Sequence, residues 1–232
     1  MKGWIRAAGV LVVVGVAAGA AEAQNVGMPL FANPHFGSGV RLFVDAGRPA
    51  TALQNADVTT VQGGVGFSVG PVRLGAAVAG NITDIKNCTG QNFSCSQSYF
   101  SGAALAGLKL AGGGHNPLAL GVFGGLGIDL SSLELAGYNA PRQLTIPVGA
   151  SVGYKFGPLV LWGAPRYNFY SWQKCDSSQQ SCSTTNDFRW SAGVTMPLGI
   201  FGIRAAYDGG KINGVKQDFV GVGVSLGIGG NQ

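Results

Sequence analysis

The chain has 232 residues, of which 11% are charged and 40 are glycine, and its formal net charge is +5. Ordinary soluble domains carry about 25% charged residues, so this composition does not fit a surface that faces only water. Beyond the N-terminus, Gly or Pro interrupts every apolar stretch before it reaches the roughly 18 residues of a membrane-spanning helix. A helical membrane protein is therefore excluded, and an ordinary soluble domain is disfavoured.

The first 23 residues have the pattern of a signal peptide. Lys2 and Arg6 precede a continuous small and apolar run over 7–20, and Ala21-Glu22-Ala23 has the small-x-small form of a cleavage site. An uncleaved anchor helix is the competing interpretation, but the run is short and Gln24-Asn25 follows it. The sequence predicts cleavage after Ala23 and export of the mature chain.

The mature chain alternates apolar and small or polar residues with a period of two, which is the pattern of β-strands. The clearest example is the last segment, in which Val220, Val222 and Val224 alternate with Gly221 and Gly223. Turn signals divide the chain into ten predicted strands, at about 38–47, 57–69, 71–83, 98–110, 117–130, 143–156, 158–172, 187–199, 202–209 and 217–228. Eight or twelve strands remain alternatives to ten.

The predicted connections alternate between short turns, such as Gly70-Pro71 and Gly157-Pro158, and longer polar loops. This alternation is typical of antiparallel membrane barrels, whose short turns face the periplasm and whose long loops face outward. The fold class predicted is therefore all-β, an antiparallel up-and-down transmembrane β-barrel over 38–232. Residues 24–37, with Pro29 and Pro34, are predicted to be an N-terminal periplasmic segment, either a tail or an insert into the lumen.

Four cysteines occur in two of the long polar loops. Cys88 and Cys95 have the same spacing as Cys175 and Cys182, and each pair is separated by six residues. In an exported chain, identical spacing within separate loops favours one disulfide in each loop. Zinc is the competing interpretation, but neither pair has a nearby His or a two-residue Cys spacing.

The charges of the predicted strands share one face. Outward by phase are apolar residues such as Val44, Val78 and Val148. The inward residues that carry charge are Arg41, Asp45, Arg73, Lys109, Asp129, Lys155, Arg166, Arg189, Arg204 and Asp208. A charge that faces hydrocarbon at mid-depth costs about 2–4 kcal/mol, which explains why all ten avoid the outward face. The predicted lumen is net basic, and it either lines a water path or is plugged by pairing among these residues, Gln62, Asn168 and Tyr170.

Outward aromatic residues are concentrated toward the predicted strand ends. They are Phe100, Tyr167, Phe169, Phe188, Trp190 and Tyr207 near the outer rim and Phe67, Tyr154 and Phe156 near the inner rim. Because amphipathic rings favour the boundary between lipid and water, the two sets predict two membrane girdles. Ordinary core aromatics are the alternative. Pro147, Pro165 and Pro197 fall inside predicted strands, where a missing N–H predicts bulges or strand ends.

Taken together, the signal peptide, the alternating strands, the Gly-Pro turns and the final strand 219–228 resemble the small bacterial outer-membrane β-barrel superfamily, with its OmpA/OmpX-type and opacity-type members. The resemblance covers essentially the whole mature chain but includes no diagnostic motif. It implies residence in the outer membrane of a Gram-negative bacterium, contact with outer-membrane lipid and insertion by that membrane's assembly machinery. Terminal residues 229–232 lack the aromatic residue typical of such barrels.

Motifs of catalysis are not found. The two histidines, His35 and His115, fall in the N-terminal segment and in a periplasmic turn, where neither can activate a nucleophile at the outer face. Three carboxylates fall in predicted outer loops: Asp84, Asp176 and Asp187. Two of them could form a pair that binds a divalent cation, but we expect all three to be solvated charges. The expectation is no enzyme, no cofactor and no metal. Nucleic acid is not an expected partner, because the basic residues are dispersed over the lumen face.

Three functions remain open at this stage. The first is a structural or surface-interaction barrel with disulfide-pinned extracellular loops, a largely plugged lumen and an unknown extracellular ligand. The second is a narrow anion-preferring porin. The third is a soluble exported β-barrel that binds a ligand, which differs from the others in requiring an apolar core and a charged exterior.

Overall fold

The computed structural model describes residues 28–50, 56–85, 96–113, 115–130, 133–135, 138–140, 142–173, 185–212 and 215–228. The predicted signal peptide over 1–23 and all four cysteines, with their predicted disulfides, lie outside the described residues. The strands are β1 Gly39–Pro49, β2 Ala56–Val69, β3 Val72–Ile85, β4 Ser96–Gly113, β5 Asn116–Asp129, β6 Leu133–Leu135, β7 Tyr138–Ala140, β8 Arg142–Phe156, β9 Leu159–Gln173, β10 Thr185–Leu198, β11 Phe201–Ile212, β12 Val215–Lys216 and β13 Phe219–Ile228.

Ten long strands form one closed antiparallel barrel. Each strand pairs with its neighbour along the chain, and β1 pairs with β13 to close the ring, from Val40 opposite Ile228 to Pro49 opposite Phe219. The predicted ten-stranded barrel is confirmed, and eight and twelve strands are excluded. None of the described residues forms a helix of the length and apolar character needed to span a membrane.

The short turns follow from glycine at the required backbone positions. Gly70-Pro71 and Gly157-Pro158 are two-residue turns. The two glycines have φ of 56° and 59°. A type II′ hairpin takes Gly with positive φ at its first central position, and the right-handed twist of the strands favours that turn. Val69 opposite Val72 and Phe156 opposite Leu159 therefore begin their ladders in a defined register.

Two prolines interrupt hydrogen bonding without breaking their strands. The β5–β8 ladder skips Pro147 and Ile146, and the β8–β9 ladder skips Pro165 and Ala164, but the register is the same before and after each gap. The prediction of bulges or strand ends there is wrong, because losing one N–H leaves the other neighbour of each strand paired. Pro197 lies one residue from the end of β10, as predicted. The described register shifts are in β4, between Lys109 and Ala111 and between Gly112 and Gly113.

The exterior of the barrel is apolar. Val44, Val78 and Val148 are 53%, 56% and 50% exposed, and the outward phase predicted for them is the one observed. Exposed charges on the strands lie at strand ends, with Arg48, Asp57 and Asp84 at the outer ends of β1, β2 and β3 and Lys155 at the inner end of β8. This exterior does not fit a soluble ligand-binding barrel, whose apolar side chains would pack inside.

Two further elements belong to connections that the sequence predicted as loops. Leu133–Leu135 and Tyr138–Ala140 form a two-stranded hairpin between β5 and β8, and Val215–Lys216 pairs with the end of β11. Both lie at the outer side of the barrel, where the long connections are. They are too short to change the barrel, but they extend its outer end.

Candidate functional site: the occluded lumen

The N-terminal segment Met28–Phe36 lies inside the barrel, and we call it the plug segment. Met28, Leu30 and Phe31 are no more than 2% exposed. Pro29 lies near Gly221 in the outer half of the lumen, and the His35 ring lies 3.1 Å from the Gly153 carbonyl near the inner end. The chain therefore descends through the lumen before β1 begins. The sequence left a tail and a lumen insert as alternatives for this segment, and its described part is a lumen insert.

An ion-pair cluster fills the outer half of the lumen. Asp208 accepts hydrogen bonds from Arg166 at 2.6 Å, from the Nε of Arg189 at 3.0 Å and from the Ser191 hydroxyl at 2.6 Å. The Leu30 amide donates to the same carboxylate at 3.3 Å, which ties the plug segment to the cluster. Both arginines and the aspartate are fully buried as side chains. A buried charge is tolerated only when it is paired and hydrogen-bonded, and these partners satisfy that condition.

A second ion pair lies below it. The Nε and Nη2 atoms of Arg204 donate to the two carboxylate oxygens of Asp45, each at 2.7 Å, and Gln62 donates to Asp45 at 2.9 Å. The guanidinium also stacks between the rings of Phe31 and Phe43, at 4.5 and 4.7 Å from their centroids. The bidentate geometry and the two rings fix Arg204 against the plug segment.

Glycines on the lumen wall make room for these side chains. A Cβ at Gly223 would lie 1.7 Å from an Asp45 oxygen, and one at Gly193 would lie 2.5 Å from the Trp162 ring. The many inward glycines are therefore matched by large inward residues such as Trp162 and Phe123. The lumen is filled by side chains and by the plug segment together.

The inner end of the lumen holds a cavity of about 230 Å³ between the plug segment and the wall, which we call the basic cavity. Its basic lining residues are His35, Arg41, Arg73, Lys109, Lys155 and Arg204. Lys109 lies 5.0 Å from the Phe36 ring centroid, and Arg73 donates to the Asn33 carbonyl at 3.2 Å. Burial lowers the pKa of the His35 imidazole below 6.5, and Lys109 and Lys155 lower it further, against backbone hydrogen bonds that raise it.

The predicted lumen residues are thus distributed over three levels. Arg166, Arg189 and Asp208 meet in the outer cluster, Asp45 and Arg204 form the second pair, and Arg41, Arg73, Lys109 and Lys155 line the basic cavity. Asp129 lies apart, near the outer end of β5, where it accepts a hydrogen bond from the Gln143 amide at 3.0 Å. Of the predicted plugging partners, Asn168 bonds both Arg166 and Tyr170, each at 3.1 Å.

Sequence reasoning missed the cavity and the part that the plug segment plays in it. The available signal was positional, because Arg41, Arg73, Lys109 and Lys155 all lie within a few residues of an inner strand end. Nothing in the sequence showed that His35 and Phe36 would complete the same site.

The predicted girdle residues lie on the exterior. Tyr167 packs edge-on against Phe188 with centroids 5.5 Å apart, and Trp190 lies 5.3 Å from Tyr207, so three neighbouring strands share one aromatic band near the outer rim. Phe67, Tyr154 and Phe156 are exposed near the inner rim, and Phe100 and Phe169 near the outer one.

Other candidate chemistry is dispersed. His115 is exposed in the turn between β4 and β5, far along the chain from His35 in the lumen. Asp84 and Asp187 lie on β3 and β10, which are not neighbours, and Asp176 is outside the described residues. Within the described part of the chain, no group of three or more His, Cys, Asp or Glu side chains could hold a metal ion.

A closed, even-numbered antiparallel barrel with an apolar exterior, aromatic rims and buried charges has the architecture of an outer-membrane-type β-barrel. Among solved structures, the chain is similar to the translocator domain of the autotransporter NalP from Neisseria meningitidis, with 14% identity, coverage of 81% of this chain and 88% of that one, and a TM-score of 0.49. It is also similar to the β-domain of the Bordetella autotransporter BrkA, with 11% identity, coverage of 83% and 100%, and a TM-score of 0.48. Neisserial surface protein A shares 14% identity over 84% of this chain and 100% of its own, with a TM-score of 0.39. No protein-family model and no curated protein matches the sequence.

Proposed function

We propose that this chain is a non-enzymatic outer-membrane barrel with a structural or surface-interaction role, whose extracellular loops, pinned by disulfides Cys88–Cys95 and Cys175–Cys182, bind an unidentified extracellular ligand. The observation that carries the proposal is the plug segment, whose Met28, Leu30 and Phe31 are buried in the lumen between the two ion-pair clusters. A lumen filled in this way leaves the loops as the part of the protein that is open to the exterior.

The second candidate is a narrow anion-preferring pore, and the basic cavity favours it. Cations around an inner mouth repel cations and attract anions. For this function the plug segment must leave the lumen, which requires breaking the Leu30 contact to Asp208 and the stacking of Phe31 on Arg204.

Planar-bilayer recordings separate the two candidates. We expect no steady conductance from the mature chain, and anion-preferring conductance after deletion of 24–36, because removal of the plug segment empties the centre of the lumen. Steady wild-type conductance that Arg166→Ala or Arg189→Ala alters would favour the pore instead. Heat-modifiable migration on gels serves as the folding control for each variant.

The surface role is tested on cells. Replacing 88–95 and 175–182 with short Gly-Ser linkers removes both cysteine pairs, and it should leave the barrel folded in the outer membrane and abolish the surface phenotype of the strain, such as binding or adhesion. Insertion of the same linker at 114–115, between β4 and β5 at the periplasmic side, is the control. If both loops can be replaced without changing any surface phenotype, the interaction role is wrong.

A further inference from the structure

The basic cavity carries a surplus of positive charge. Five of its lining residues are Arg or Lys, and none of the described lining residues is Asp or Glu. Arg204 is neutralised by Asp45, which lies behind the lining at 2.7 Å. Neither Lys109 nor Lys155 has a carboxylate partner among the described residues, and Lys109 donates to the Phe36 carbonyl at 3.5 Å and lies over the Phe36 ring.

Cations gathered in a partly enclosed space repel one another more strongly than on an open surface, because less water screens them. In the outer cluster, the ion pairs of Asp208 with two arginines offset the repulsion between those arginines. Around Lys109 and Lys155 the described residues provide a hydrogen-bond acceptor and an aromatic ring but no compensating carboxylate. The missing charge can be supplied by a bound anion.

We propose that the basic cavity binds a compact multivalent anion of the phosphate class, held by Lys109 and Lys155 with the neighbouring arginines. Ammonium and guanidinium groups are the side chains that bind phosphate oxygens with charge-assisted hydrogen bonds. The volume of about 230 Å³ corresponds to roughly seven water molecules at about 30 Å³ each, enough for a phosphate and part of its hydration shell. A polymer or a large sugar does not fit.

Such an anion would connect the plug segment to the wall. His35 and Phe36 belong to the plug segment, whereas Lys109 and Lys155 belong to β4 and β8. A ligand between them stabilises the folded barrel by mass action. It also opposes the effect of Lys109 and Lys155 on the pKa of His35, which burial lowers most. This inference goes beyond the proposed function, because it holds whether or not the loops bind a partner.

The phosphate could come from solution or from a lipid headgroup. Lys155, which lines the cavity, is exposed at the inner end of β8, and the other lining residues belong to the lumen wall and the plug segment, which favours a free anion. The two sources are distinguished by adding inorganic phosphate to the refolded mature chain in maltoside micelles, or by adding phosphatidylglycerol to the same micelles without free phosphate.

The test measures binding of inorganic phosphate by calorimetry and by the shift of the thermal midpoint. We expect saturable binding that Lys109→Gln/Lys155→Gln weakens by at least about tenfold, the effect of losing one or more charge-assisted hydrogen bonds. Lys211→Gln/Lys216→Gln removes the same two charges at the outer end and should leave the affinity unchanged. The variant Lys109→Arg/Lys155→Arg should keep binding, which separates loss of charge from damage to the fold.

A second readout follows His35 directly. Phosphate should raise the pKa of the His35 imidazole in an NMR titration of the wild-type barrel, and it should not do so in Lys109→Gln/Lys155→Gln. Lipid-dependent stabilisation that requires the two lysines assigns the source to headgroups. Absence of saturable phosphate or headgroup binding, or equal binding by both double variants, overturns the proposal.

Discussion

Asp208→Asn is expected to lower the free energy of unfolding of the barrel by about 3–5 kcal/mol, the cost of breaking a buried ion pair by removal of one partner. The substitution keeps the size of the side chain but removes the charge that compensates Arg166 and Arg189, whose side chains are fully buried. It also weakens the acceptor of the Leu30 amide, so the plug segment loses an anchor. The measurement is the urea midpoint of the mature chain in lipid vesicles, followed by the heat-modifiable mobility shift.

Asp84→Asn is the matched control for this variant. Asp84 is exposed at the outer end of β3 and lies opposite Asp57, so removal of its charge should change the free energy of unfolding by no more than about 0.5 kcal/mol. Equal urea midpoints for Asp208→Asn and the wild type would show that the two arginines have other compensation and that the outer cluster does not hold the lumen together.

Val148→Arg is expected to cost about 2–4 kcal/mol, or to prevent insertion, because it puts a cation at the level of the hydrocarbon. Val148 lies midway along β8 and faces outward with half of its side chain exposed. The exposure is to lipid, so the arginine cannot be hydrated there without deforming the bilayer. The measurement is again the urea midpoint in vesicles.

Ile200→Arg provides the comparison. Ile200 is similarly exposed, at 59%, but it lies in the turn between β10 and β11 at the inner end of the barrel. Near the interface the same substitution costs about 0–1 kcal/mol. If both variants were equally stable, the exterior of β8 would be facing water.

The ten strands could be predicted because each of them exposes one face to lipid and the other to the lumen. That constraint repeats every second residue, so strands such as 219–228 can be predicted from the sequence even where glycine dominates the inward face. The prolines were misjudged because β8 and β9 are each held from both sides, and a gap beside Pro147 or Pro165 does not free an edge.

The interior could not be predicted to the same depth. Asp45 and Arg204 are 159 residues apart, and they meet only because β1 and β11 flank the closing strand β13. The plug segment has no periodicity, and its burial depends on space left by glycines on several strands. The sequence established which charges face inward, but their partners follow from barrel closure and from the position of Phe31 and Leu30.

Two of the three native tryptophans on β9 and β10 provide the most direct test of the account. Trp190 faces outward and is 42% exposed, whereas Trp162 faces the lumen, is 5% exposed and lies 3.3 Å from the Thr195 hydroxyl. In mature chains that carry Trp172→Phe and only one of these two residues, lipids with brominated acyl chains should quench the fluorescence of Trp190 and leave that of Trp162 nearly unchanged. Strong quenching of Trp162, or none of Trp190, would show that lipid does not contact the face assigned to it.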